Sequence, residues 1–111
     1  MPYGMRVCTG EDEGELYPLF ENREITIGRS PTNNIFLRDK NISRVHCQIV
    51  VTVDACRLTD LQSTNGTFVN GERVPECDLI AGDEVRIGTT LLRLEESGAT
   101  GRAITDTSII D

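Results

Sequence analysis

Short apolar runs separated by turn-forming residues are the feature that most constrains how this chain folds. Glycine, asparagine and aspartate interrupt the apolar runs, and no stretch carries the periodicity of an amphipathic helix. Residues 84–87 and 90–94 instead alternate, which places apolar side chains on one face and charged side chains on the other. Many short strands with frequent turns are typical of a sandwich or barrel, and we predict an all-β fold built as a β-sandwich.

The predicted strands can be followed along most of the chain. Pro18 lacks a backbone donor, which predicts an edge position for the strand around it. Asn70-Gly71 predicts a tight hairpin, because both central residues of such a turn must accept positive φ. The longest predicted strand covers residues 46–53, which are rich in β-branched side chains. The strands are predicted at residues 6–9, 16–20, 24–27, 35–37, 46–53, 56–60, 67–69, 72–74, 84–87 and 90–94.

Length and composition indicate one domain. A chain of 111 residues is long enough for a single core and too short for two. Aromatic residues make up 5% and Trp is absent, so the core must be built from Val, Ile and Leu. From Ser97 onward the residues are at first small and polar. We therefore expect a domain over residues 1–96 and a flexible tail or linker over residues 97–111.

The net charge limits the possible partners. A value of −7 argues against nucleic acid and against an anionic membrane surface. No apolar run reaches the roughly 18 residues of a membrane span, and no secretory signal is apparent, so we expect a cytoplasmic protein. Arg29, Arg38, Lys40 and Arg44 nevertheless form a basic island. From charge alone, the simpler interpretation is that these residues lie in a solvated loop. A local anion-binding site can be inferred only if sequence motifs also indicate one.

The cysteines do not indicate a metal site. Four cysteines occur without a CxxC pair, and the chain has one His. We therefore expect no metal and no cofactor. Free buried thiols suit a reducing compartment, although the even number leaves disulfides possible.

Three loops offer the groups that a phosphate needs. A phosphate carries about −1.5 to −2 charges and three acceptor oxygens. A guanidinium fits it in bidentate fashion, and hydroxyl or backbone N–H groups fill the remaining positions. Such groups are best held in loops whose ends are fixed by a rigid sheet. The three loops are Gly28-Arg29-Ser30, Ser43-Arg44-Val45-His46 and Ser63-Thr64-Asn65-Gly66-Thr67.

In this order and spacing, the motifs resemble the forkhead-associated (FHA) domain. The third motif continues through Phe68-Val69-Asn70-Gly71, and residues 79–88 are similar to the closing stretch of that family. The resemblance covers roughly residues 5–95. It implies a β-sandwich of about eleven mostly antiparallel strands with ligand-binding loops at one end. It also implies recognition of phosphothreonine in a partner, expected to be a substrate of a Ser/Thr protein kinase.

The resemblance also implies roles for individual residues. Arg29 resembles the family's phosphate-binding arginine, and Ser43 resembles the serine that hydrogen-bonds a phosphate oxygen. Arg44 follows Ser43 and is predicted to be a second cation. Thr64 resembles a residue lining the phosphate pocket, and Asn65 resembles the asparagine that holds the peptide backbone. Four more residues are expected to support the site structurally: Gly28, Ser30, His46 and Gly66.

Each binding role has a simpler alternative. Arg29 could be a surface arginine paired with an acidic neighbour, and Ser43 could cap a turn through its hydroxyl. The long side chain of Arg44 could point into solvent.

Two other functions compete with phosphopeptide binding. Ser43 and His46 could suggest a hydrolase, but no acidic residue is evidently placed to orient the imidazole and no nucleophile elbow is present. A phosphate-independent interaction domain would require the phosphate-contacting positions to be lost, whereas Arg29, Ser43 and Asn65 are intact. A further hypothesis concerns the tail. If Thr107 were phosphorylated, with Ile110 three positions later, the tail would be able to dock on its own or a neighbouring domain, although a disordered linker is the simpler expectation.

Overall fold

A computed structural model describes residues 3–96, which form eleven strands and contain no helix. The alternating pattern of the sequence accounts for several of these strands, including Cys47–Val51, Glu84–Ile87 and Thr90–Glu96, because it places apolar residues on one face. The strands are β1 Tyr3–Val7, β2 Leu16–Leu19, β3 Glu24–Gly28, β4 Ile35–Phe36, β5 Cys47–Val51, β6 Cys56–Asp60, β7 Thr67–Val69, β8 Glu72–Arg73, β9 Glu76–Asp78, β10 Glu84–Ile87 and β11 Thr90–Glu96.

The strands form two sheets that pack as a sandwich. One sheet has six strands in the order β2-β1-β11-β10-β7-β8, and the other has five in the order β4-β3-β5-β6-β9. All neighbouring strands are antiparallel except β3 and β4. The predicted all-β sandwich of about eleven strands is therefore confirmed.

The core between the sheets is aliphatic, as the composition predicts. Ile27 and Ile49 from one sheet and Leu92 and Leu94 from the other have no exposed surface. Full burial of one such side chain contributes about 1.5–3 kcal/mol. The core therefore fixes the strand ends from which the loops emerge.

The structure corrects several strand boundaries. The longest strand is β11, with 7 residues, and not the strand predicted at residues 46–53. β5 ends at Val51 because Thr52 forms a turn, its backbone N–H and hydroxyl donating to the carbonyl of Ala55. β9 was not predicted, because it contains one apolar residue, Cys77, between Glu76 and Asp78. Both of these acidic side chains form ion pairs with Arg57 of β6, at 3.0 and 2.8 Å.

Two predictions about turns and edges agree with the structure. Asn70 and Gly71 adopt φ values of 50° and 89° in the turn between β7 and β8. The Asn70 side chain also donates to the Asp83 carboxylate and accepts the backbone N–H of Glu84, so the hairpin is attached to β10. Pro18 lies in β2, at an edge of its sheet.

All four cysteines are free, and Cys47 and Cys56 are buried while Cys8 and Cys77 are partly exposed. Burial raises the pKa of Cys47 to about 12 and that of Cys56 to about 11, with nearby carboxylates adding to the rise. Across residues 3–96, no helix is long and apolar enough to cross a membrane.

The register brings the candidate loops to one end of the sandwich. Ile27 of β3 lies opposite Cys47 of β5, and Cys47 lies opposite Asp60 of β6. The loops that follow β3 and β6 therefore emerge beside the loop that precedes β5. The predicted tail, with Thr107, lies outside the described residues, so the division at residue 96 stays a prediction.

Candidate functional site

A polar cleft of about 180 Å³ lies between the loops after β3, before β5 and after β6. All of the predicted binding residues except Arg44 line it. Lys40, which the sequence places only in a basic island, also faces the cleft. The lining residues are Arg29, Lys40, Asn41, Ile42, Ser43, Thr64 and Asn65.

The guanidinium of Arg29 is held in place by the backbone of the neighbouring loop. Its Nε donates to the carbonyl of Ile42 at 3.0 Å, and its backbone N–H donates to the carbonyl of Ser43 at 3.0 Å. Neither terminal nitrogen of Arg29 has a partner within residues 3–96. The side chain is thus oriented through one nitrogen and has donors left for an anion.

Ser43 connects two loops and still has a donor available. Its Oγ accepts the backbone N–H of Thr64 at 3.0 Å, and its own backbone N–H donates to Nδ1 of His46 at 3.1 Å. A hydroxyl group has one donor in addition to its acceptor positions. Ser43 therefore joins its loop to the loop after β6 and does not cap a local turn through its hydroxyl, whose proton has no acceptor within residues 3–96.

Asn65 lines the same cleft as Arg29 and is held by the loop before β5. Its Nδ2 donates to the carbonyl of Asn41 at 2.9 Å, and its Oδ1 has no donor among the described residues. The hydroxyl of Thr64 likewise has no partner within residues 3–96. One amide oxygen and one hydroxyl are therefore available at the edge of the cleft.

His46 joins the second and third loops from below the cleft. The ring is fully buried, and Nδ1 accepts the Ser43 N–H while Nε2 lies 2.9 Å from the carbonyl oxygen of Gly66. Because Nδ1 accepts, Nε2 must carry the proton that is donated to Gly66. His46 thus connects the two loops, and its role as structural support of the site stays a prediction.

Gly28 and the turn after it fix the first loop. A methyl group at Gly28 would overlap the carbonyl oxygen of Arg44 and lie 2.7 Å from Nδ2 of Asn33. That carbonyl accepts from the backbone of Ser30 at 3.1 Å and from Nδ2 of Asn33 at 2.7 Å. The buried Asn33, which no sequence motif singled out, also donates to the carbonyl of Ser30. Gly28 and Ser30 therefore both take part in the contacts that hold the first loop, and their support of the site stays a prediction.

The side chain of Arg44 does not line the cleft. It is exposed, and no hydrogen bond or ion pair of this side chain occurs within residues 3–96. The structure uses the carbonyl of Arg44 to hold the first loop. Its role as a second cation stays a prediction.

Asp60 organises the third loop, although its role was not predicted from the sequence. Its carboxylate accepts the backbone N–H of Ser63 at 3.1 Å, the hydroxyl of Ser63 at 2.5 Å and the hydroxyl of Thr67 at 2.7 Å. Partial burial by itself raises the pKa of Asp60, but these hydrogen bonds outweigh it and hold the pKa below its ordinary value. An Asp three residues before a Ser at a strand end is the local signal that could have identified this contact.

The cationic side chains of the cleft lack the ion pairs that several other arginines form. Arg29 and Lys40, which line the cleft, form no ion pair within residues 3–96, although the whole chain has a net charge of −7. Ion-paired arginines lie elsewhere on the surface, at Arg6, Arg38, Arg57 and Arg93. The cleft therefore presents positive charge that no carboxylate within residues 3–96 pairs with.

The geometry does not form the arrangement of a serine hydrolase. Nδ1 of His46 accepts from the backbone of Ser43, while the Ser43 hydroxyl faces Thr64. The imidazole is therefore not placed to take the hydroxyl proton.

Within residues 3–96, no group of three or more His, Cys, Asp or Glu side chains could hold a metal ion.

The fold and the cleft define a class of small β-sandwich modules whose loops carry a polar recognition surface at one end. A family model for the FHA domain matches residues 25–88, and the chain belongs to the FHA domain family.

Related proteins include regulators from Mycobacterium and Corynebacterium. The chain is 36% identical over 102 residues to the glycogen accumulation regulator GarA of Mycobacterium tuberculosis, covering 86% of this chain and 62% of GarA. It is 37% identical over 82 residues to the oxoglutarate dehydrogenase inhibitor of Corynebacterium jeikeium, covering 74% of this chain and 56% of the inhibitor. The chain thus spans about 62% of the length of GarA.

Solved structures share the fold. One comes from a structural and functional analysis of phosphothreonine-dependent FHA domain interactions. It has a TM-score of 0.81 and 32% identity, and covers 87% of this chain and 98% of the other. Mycobacterium tuberculosis EmbR, solved with a low-affinity phosphopeptide, has a TM-score of 0.79 and 31% identity, and covers 91% of this chain and 26% of EmbR.

Proposed function

We propose that this chain is a phosphothreonine-peptide-binding module that mediates phosphorylation-dependent protein–protein interaction in Ser/Thr kinase signalling, and that it is not an enzyme. The observation that carries the proposal is that Arg29 and Ser43 line one cleft. Each is held by a neighbouring loop, and each has a donor without an acceptor in the described part of the chain. The similarity to FHA domains that bind phosphopeptides supports it. Free cysteines agree with a cytoplasmic location.

Different residues bind different parts of the ligand. Arg29 and the hydroxyl of Ser43 bind the phosphate, with Thr64 at its edge and Arg44 as a second cation. Asn65 holds the peptide backbone through its free amide oxygen. A hydrogen bond to a charged group contributes about 1.5–3 kcal/mol, so a few such bonds, less the cost of ordering the peptide, give roughly micromolar affinity.

The test is calorimetry with a phosphothreonine peptide found in a library screen, alongside its unphosphorylated and phosphoserine forms. We expect micromolar binding of the phosphothreonine form only, and no measurable binding by Arg29→Ala or Ser43→Ala. Arg23→Ala, on the turn before β3 and at the other end of the sandwich, is the matched control and should bind as wild type. Thermal unfolding must show that each variant is folded.

A phosphate-independent interaction domain is the competing function. Equal affinity for the phosphorylated and unphosphorylated peptides, or equal affinity of wild type and both site variants, would favour it. Capture of the partner that survives phosphatase treatment would favour it as well.

A further inference from the structure

Arg73 belongs to a row of side chains on the outer face of the six-stranded sheet. It lies opposite Phe68 of β7, which in turn lies opposite Arg86 of β10. Side chains opposite one another on neighbouring strands share a face and lie within contact distance. The guanidinium of Arg86 occupies the face of the Phe68 ring, with its central carbon 4.1 Å from the ring centroid.

The guanidinium of Arg73 instead lies over Gly66. A methyl group at Gly66 would be 2.5 Å from Nε of Arg73 and 2.8 Å from Cζ, so the Arg73 side chain occupies the space where a side chain at residue 66 would lie. Gly66 follows Asn65 directly and adopts a φ of 92°. The missing side chain thus brings a cation next to the residue that we propose to hold the peptide.

This cation has no partner in the described part of the chain. Arg73 is exposed, and within residues 3–96 its side chain forms neither an ion pair nor a hydrogen bond. A guanidinium presents a planar fork of donors that matches a carboxylate. It lies outside the phosphate cleft, whose lining residues do not include it, so it is available for a different part of the ligand.

We propose that Arg73 is a specificity-determining residue, which selects partners with an acidic side chain a few residues from the phosphothreonine. The inference rests on the proposed function, because the phosphate and Asn65 must first place the peptide beside Gly66. A carboxylate that reaches Arg73 gains an ion pair, whereas a neutral side chain at the same position does not. An acidic peptide would otherwise be repelled by a chain with a net charge of −7.

The experiment compares matched peptides on wild type and Arg73→Gln. A phosphothreonine peptide is varied by placing Asp, or its neutral counterpart Asn, singly at each of the three positions on either side. We expect wild type to prefer Asp over Asn at one position by about two- to fivefold, as for an exposed ion pair. Arg73→Gln should lose this preference without changing its affinity for the Asn peptide. Arg73→Lys should keep part of it.

The control and the outcomes separate this inference from the proposed function. The control variant is Arg23→Gln, which removes an exposed arginine at the end of β3 that is far from the cleft. This variant should retain the full preference for Asp over Asn. If wild type prefers Asp at no position, or Arg73→Gln keeps the preference, the inference is overturned while phosphothreonine binding stands. An equal loss for both peptides also overturns it, because Arg73 would then only support the loop. If wild type binds no phosphothreonine peptide better than its unphosphorylated form, both proposals fail.

Discussion

Gly28 ends β3 where the chain before β5 crosses it at close range. The carbonyl of Arg44 occupies the space where a side chain at Gly28 would lie. That carbonyl is also the acceptor for the turn that carries Ser30 and Asn33. A residue with no ligand contact of its own thus determines where Arg29 lies.

Replacement of Gly28 by Ala should therefore disturb both stability and binding. We expect a loss of about 1–3 kcal/mol in the free energy of unfolding, the usual cost of overpacking, measured by urea denaturation. Gly71→Ala is the contrasting variant. Its φ of 89° strains any side chain, but no atom lies within 4 Å of the added methyl group. It should cost about 1–2 kcal/mol without affecting phosphopeptide affinity. Wild-type affinity of Gly28→Ala would contradict this role of Gly28.

The sequence predicted the residues of the cleft better than the contacts that hold them. Arg29, Ser43, Thr64 and Asn65 lie together as their motifs indicated. The bonds between loops, such as that from Thr64 to Ser43, join residues far apart in the chain, and no local pattern specifies such a pair. The same limit explains why Arg73 was not singled out.

At the scale of single elements, the loop after β6 depends on one carboxylate. Asp60 accepts from Ser63 and Thr67, and Ser63 in turn accepts the backbone N–H of Gly66 through its hydroxyl at 3.0 Å. These bonds curve the loop so that Thr64 and Asn65 face the cleft. The composition of the loop predicted that it is polar, but not which contacts shape it.

Asp60→Asn should weaken peptide binding although residue 60 lies outside the cleft. An amide offers one acceptor oxygen where the carboxylate offers two, so the backbone or a hydroxyl of the loop loses its partner, at a cost of about 1–3 kcal/mol. We expect several-fold weaker binding in calorimetry with the domain still folded by circular dichroism. Asp54→Asn, in the turn between β5 and β6, is the matched control. Equal affinity of both variants would show that the loop holds its shape without Asp60.

At the scale of the whole molecule, Asp39 ties the two sheets together at the same end as the site. It lies in the connection between β4 and β5, and its carboxylate accepts the backbone N–H of Asn41 at 2.9 Å. It also accepts from Thr89 and Thr90, at the start of β11, at 2.8 Å. Gly88 allows this approach, because a methyl group there would lie 2.9 Å from Asp39. These contacts join residues that are far apart in the chain. The strand patterns therefore predicted the sandwich, but not the hydrogen bonds that connect its two sheets.

Asp39 and Asp60 together should give the domain a defined sensitivity to acid. Partial burial by itself raises the pKa of each carboxyl, but the hydrogen bonds that each accepts outweigh it. The pKa of both carboxyls therefore lies below its ordinary value, and for Asp39 the donors are Asn41, Thr90 and Thr89. A carboxyl with a lowered pKa in the folded state stabilises the protein above its unfolded pKa of about 3.9. That contribution is lost as the pH falls through the lower, folded value.

We therefore expect the free energy of unfolding of wild type to fall as the pH drops below about 4. The Asp39→Asn, Asp60→Asn double variant should be less stable at pH 7 by about 2–4 kcal/mol and should lose less on acidification, because its amides do not titrate. Urea denaturation at a series of pH values measures both effects. Glu13→Gln removes an exposed charge that has no side-chain partner within residues 3–96, and should follow the wild-type curve. Parallel curves for wild type and the double variant would show that other carboxyls cause the acid sensitivity.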